Sequence, residues 1–104
     1  MSKRLEMLQT LTQHSKDPFA WYALALEYSK LQRREDALTT FASLRELDRT
    51  YLPMYLMAGR LLLELQRTAE AREWLQAGIE LAHQRADSKA LSEIQAALSD
   101  ASAP

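Results

Sequence analysis

The sequence predicts an all-α fold, a solenoid of stacked antiparallel helix pairs with about six helices. Three observations carry that expectation. Apolar residues recur at helical spacing over nearly the whole chain, and no stretch alternates as a strand does. Ala, Leu, Gln, Glu and Arg dominate while Val is absent, which favours helix over sheet. The chain also matches itself at an offset of 34 residues: Leu31-Gln32-Arg33 falls on Leu65-Gln66-Arg67, Ala37 on Ala71, and Glu46-Leu47 on Glu80-Leu81. A helix-turn-helix unit recurring at that period is the mark of stacked repeats.

The elements follow in order. An N-terminal helix within 3–16 runs from about Lys3 to His14, with Leu5, Leu8 and Leu11 as its apolar face and Met7 beside them. Asp17-Pro18 opens the second helix: the Asp oxygen accepts from orphan backbone N–H groups, and proline at the first helical position has no N–H to lose. That helix continues to about Leu31 and carries Trp21, Leu24, Tyr28 and Leu31. After the polar turn Gln32-Arg33-Arg34, a third helix starts at Glu35 and presents Ala37, Phe41, Leu44 and Leu47. Its opening Glu35-Asp36 suits the positive end of the helix dipole.

Asp48-Arg49-Thr50 breaks the pattern again. The fourth helix begins near Leu52, with Pro53 in its first turn where missing N–H groups cost little, and ends near Leu65. Gln66-Arg67-Thr68 leads into a fifth helix carrying Ala71, Trp74, Leu75, Ile79 and Leu81. Asp87 or Ser88 then caps a last helix that presents Leu91, Ile94 and Leu98. The expected organisation is one domain over 1–104: the N-terminal helix at 3–16, repeats at 18–51 and 52–85, a capping helix at 87–99, and a frayed polar tail at 100–104.

The repeat resembles the tetratricopeptide-repeat family. Its pattern W-x2-L-G-x2-Y, then A-x3-F, reads here as Trp21, Leu24, Ala25, Tyr28, Ala37 and Phe41, and in the second copy as Tyr55, Ala58, Gly59, Leu62, Ala71 and Leu75. Small residues at Ala25, Gly59, Ala37 and Ala71 let paired helices approach, and Trp21, Tyr28, Phe41 and Tyr55 fill the space between repeats. Arg49 and His83 stand where the pattern closes on proline, and Ala25 where glycine is usual. The resemblance implies a right-handed solenoid like that of small bacterial proteins with two repeats and a cap helix. It also implies a protein–protein interaction role.

Chemistry beyond binding is sparse. The formal charge is −1, without the basic footprint of a nucleic-acid binder. No cysteine is present, so there is no disulfide framework, thiolate metal site or thiol nucleophile. The apolar runs Met54 to Gly59 and Leu61 to Leu63 are far short of the ~20 residues of a membrane span, and the N-terminus lacks a signal-peptide core. A cytoplasmic protein without cofactor, metal or catalytic site is the expectation.

His14 and His83 lie near helix ends with no second histidine one turn away, and read as dipole-capping residues rather than ligands. Glu70 and Glu73 read as a solvated face, and Glu27 as a structural partner of a nearby arginine. Arg33, Arg34 and Arg67 sit in the two polar turns, with a small anion-binding patch as the alternative to plain solvation.

In the resembled family the first helix of each pair lines a concave, partner-binding face. Here those helices carry Phe19, Tyr22 and Leu26, with Lys30, and Leu56, Arg60 and Leu63, each set at one-face spacing. These seven residues are the candidate groove, taking a peptide or helix of a protein partner. Two alternatives stand beside it: Leu56 and Leu63 are buried core, or the apolar surface serves a homodimer. The family's polar groove that clamps a C-terminal carboxylate with Lys, Arg and Asn is not reproduced, because the chain has no Asn.

Overall fold

The computed structural model describes residues 2–102, which form six helices and no strand. These are α1 (Lys3–His14), α2 (Pro18–Lys30), α3 (Arg34–Leu47), α4 (Pro53–Glu64), α5 (Thr68–Gln84) and α6 (Ser88–Ser102). Local chemistry starts most of them. The Ser2 hydroxyl caps α1 by accepting from the Leu5 N–H at 3.1 Å. Asp17 caps α2 by accepting from the Phe19 N–H at 3.0 Å, ahead of Pro18. Asp87 does the same for α6, accepting from the Ala90 N–H at 3.0 Å. The starts of α3 and α5 have no side-chain cap; instead Arg33 and Arg67 reach forward to Asp36 and Glu70 in the first turn.

Three helices end in the same way. The Arg33 N–H donates to the Tyr28 carbonyl and the Gln32 N–H to that of Ser29; Arg67 and Gln66 repeat this on Leu62 and Leu63, and Asp87 and Ala86 on Ala82 and His83. This nested pair of bonds is the Schellman closure, which satisfies carbonyls left open at a helix C-terminus. It requires a left-handed residue, here Gln32 (φ 65°), Gln66 (φ 60°) and Ala86 (φ 53°). None of them is glycine.

The chain packs as two compact units, Met1–Arg49 with α1 to α3 and Thr50–Pro104 with α4 to α6. In the first, α2 packs against both α1 and α3, and Leu5, Ala20, Leu24, Ala37, Phe41 and Leu44 are buried. In the second, Leu52, Leu75, Ala82, Ile94 and Ala97 form the core. The helices of this unit meet closely at its two glycines. A Cβ on Gly78 would stand 2.7 Å from the Tyr55 Cβ and 3.1 Å from the Ile94 Cδ1, and one on Gly59 would run into the Leu75 side chain. Glycine in α5 thus lets α4 and α6 close on the same point.

Two expectations need correction. The buried face of α1 is Leu5 and Thr12, seven residues and two turns apart, while Leu11 and Met7 point outward. The Thr12 hydroxyl is satisfied by donating to the Leu8 and Gln9 carbonyls, which lets a polar residue take the inner position. At the other end, α6 continues through Ser102 rather than stopping at 99. Ala101 is buried and its carbonyl accepts from Arg72 Nη2 at 3.3 Å, so the last turn is held. Residues 103–104 of the expected tail lie outside the described residues.

Candidate functional site

In the first unit, α2 turns Ala20, Leu24, Ala25 and Glu27 inward. The indole N–H of Trp21 donates to the Ser15 carbonyl at 2.9 Å and pins the approach from α1. The opposite face brings together Phe19, Tyr22, Leu26 and Lys30, which with Arg4, Ala23 and Glu27 line a recess of about 420 Å³. Phe19 is 63% exposed. Tyr22 is half-buried, its ring 6.4 Å from that of Phe41 and tilted to it. Lys30 is exposed and has no ion-pair partner among the described residues.

Glu27 is only 6% exposed, so its carboxylate needs partners. It accepts from the Ser2 hydroxyl at 3.1 Å and lies 3.3 Å from Arg4 Nε. Ser2 therefore serves two helices: it caps α1 and supplies a donor to α2. Arg4 is held by one nitrogen at the recess edge, leaving the rest of its guanidinium to solvent. Sequence reasoning anticipated an arginine beside Glu27 but not that Arg4 borders the recess.

In the second unit, Leu56 and Leu63 are half-buried and pack against the core of Leu52, Leu75, Ala82, Ile94 and Ala97. They are neither an open stripe nor fully enclosed. Arg60 is exposed and shares with Leu63 a second recess of about 450 Å³, whose other walls are Glu64, Glu93, Ala96, Ala97 and Asp100. Leu56 does not line it. The apolar surface that sequence reading overlooked is on α1, where Met7 is 71% and Leu11 53% exposed. Their i, i+4 spacing was the available signal, since Leu5 to Thr12 defines a different stripe.

The polar turns carry less free charge than their composition suggests. Arg33 Nε donates to Asp36 Oδ2 at 2.8 Å and its guanidinium lies 4.8 Å from the Tyr28 ring centre. Arg67 grips Glu70 with two bonds of 3.0 and 2.8 Å. The same i, i+3 pairing recurs one repeat later and neutralises both turns locally. His14 and His83 occupy the last turns of α1 and α5. Among the described residues no group of three His, Asp or Glu is placed to hold a metal ion, and no helix is long and apolar enough to cross a membrane.

Comparison with known proteins agrees with this architecture. The profile of the tetratricopeptide repeat matches residues 52–84. The crystal structure of a tetratricopeptide repeat domain protein from Salinibacter ruber is 40% identical, covers 83% of this chain and 97% of its own, and superposes with a TM-score of 0.78. PcrH from Pseudomonas aeruginosa is 20% identical over 95% of this chain and 76% of its own, with a TM-score of 0.85. The TPR2B domain of yeast Sti1, solved in complex with pHsp70, is 17% identical over 94% of this chain and 79% of its own, also at 0.85. The last two share the fold alone. No curated protein matches the chain. With the 34-residue period, the small residues at the helix crossings and a 40%-identical relative spanned almost end to end, this chain belongs to the tetratricopeptide repeat family.

Proposed function

We propose that this protein is a non-enzymatic cytoplasmic module that binds a peptide or a helix of a protein partner on the outward face of α2. Tetratricopeptide repeat proteins are interaction modules, and the yeast neighbour is itself solved with a bound partner. The observation that carries the reading is the α2 face. An aromatic ring 63% exposed stands at a recess floored by half-buried Tyr22 and Leu26, with cations at its edge. The packing of α2 on its neighbours leaves that ring idle, and aromatic side chains flanked by Arg or Lys are the usual anchors of binding surfaces.

A display library of short random peptides, selected on the wild-type protein, tests this. Amide shifts on titration with a selected peptide should fall on residues 19–30. Phe19→Ser should weaken binding by at least about tenfold, while the melting temperature stays within what a surface change produces. Peptides that map to other helices, or that bind Phe19→Ser equally well, would overturn the assignment.

A further inference from the structure

We propose that the outward face of α1 docks onto a second copy of this chain, in the recess bordered by α4 and α6. α1 spends one face on packing, through Leu5 and Thr12, and leaves Met7 (71% exposed) and Leu11 (53% exposed) on another. Lys3 lies one turn before Met7 on the same stripe and has no ion-pair partner among the described residues. The face is thus apolar, and at its edge Lys3 and Arg4 outnumber Glu6.

The second unit carries a surface of net opposite charge. The recess of the second unit has Leu63, Ala96 and Ala97 as its apolar part, and among its charged walls Glu64, Glu93 and Asp100 outnumber Arg60. Neither Glu93 nor Asp100 has an ion-pair partner among the described residues. The two alanines admit a helix closely, Met7 and Leu11 supply the apolar contact, and Lys3 meets Glu93 or Asp100. Because the two surfaces differ, the contact is heterologous: copies add in series unless the rotation closes a ring. One helix of about 18 Å covers far less than the roughly 1,600 Å² of a stable interface, so association is weak and grows with concentration. The α2 face takes no part, so the peptide-binding reading and this one fail separately.

Sedimentation velocity decides it. The weight-average mass of the wild type should rise above 11.9 kDa with concentration. It should fall back when salt is raised from about 0.05 to about 0.5 M, as expected of complementary charge. Met7→Gln with Leu11→Gln, and separately Glu93→Lys with Asp100→Lys, should each be monomeric. Mixed in equal amounts they should form a heterodimer, since one retains the recess and the other retains the α1 face. Lys3→Glu and Glu93→Lys, milder changes, should each weaken association and restore it when mixed. A wild type that stays monomeric, a recess variant that self-associates as well as the wild type, or a mixture of the mild variants that remains dissociated would each overturn the proposal.

Discussion

Gly78→Ala sets two opposing effects against each other at one atom. In an exposed helix interior the change would gain about 1 kcal/mol from helix propensity. At Gly78 the added methyl would stand 2.7 Å from the Tyr55 Cβ and 3.1 Å from the Ile94 Cδ1. The first contact is roughly 1 Å inside the ordinary carbon–carbon separation. Tyr55 belongs to α4 and Ile94 to α6, both buried, and the Tyr55 ring is further braced by Trp74 at 5.9 Å. A Cβ is not the free end of a flexible side chain, so relief requires backbone movement. Overpacking of this kind costs about 1–3 kcal/mol, and with two neighbouring helices forced to retreat the upper part of that range applies. The expected net loss is about 1–2 kcal/mol, read as a melting temperature lower by about 4–8 °C per kcal/mol in a chain of this size. Urea unfolding should agree. Ile94→Val removes the Cδ1 and alone costs about 0.5–1.5 kcal/mol. Combined with Gly78→Ala it should cost less than the sum by more than about 0.5 kcal/mol, because the two changes share a contact. A Gly78→Ala protein that melts at or above the wild type would show that propensity wins and that the close approach at Gly78 is not a constraint.

Ala86→Gly should stabilise by about 0.5–1 kcal/mol, because a left-handed alanine gives way to the residue that adopts that conformation without a Cβ clash; thermal melting reads the gain. Ser2→Ala should cost about 1–2 kcal/mol in urea unfolding, since α1 loses its cap and buried Glu27 loses a donor, whereas Ser2→Thr should retain most of the stability. Deleting residues 88–104 removes buried Ile94, Ala97 and Ala101 and uncovers Leu52 and Leu75. At about 1.5–3 kcal/mol per large buried side chain it should unfold the second unit, seen as a loss of helical signal beyond that of the deleted segment.

Helix order was legible because it rests on residues with strong local signals. Asp17-Pro18 and Asp87 start helices where they stand in the sequence, and the 34-residue register pointed to the stretch that the repeat profile matches at 52–84. The turns were legible only as polar breaks. Left-handed backbone is announced by glycine, and Gln32, Gln66 and Ala86 carry no such announcement. The facing of α1 was misjudged because Leu8 sits between two stripes and Thr12, satisfied by its own helix, hides an inward position behind a polar side chain. For the candidate site, the apolar stripe on α2 could be read from spacing alone. Arg4 at its edge could not, since it depends on which residues of α1 face α2. On α4 the spacing placed Leu56 and Leu63 on one face, but how far α6 covers them is tertiary information.

The way each outer helix is held sets the order in which the units open. α6 packs on both α4 and α5, so releasing it uncovers Leu52, Leu75 and Ala82 at once and amounts to unfolding its unit. α1 leans chiefly on α2, through Leu5, Thr12 and the Ser2 bridge to Glu27. Its release exposes Leu5 and the part of α2 it covers but leaves the packing of α2 on α3 in place, so that opening costs less than unfolding the whole unit. In native-state hydrogen exchange the amides of α1 should therefore lose protection together and ahead of those of α4. Both helices are 12 residues long, so the difference reports neighbours rather than helix length.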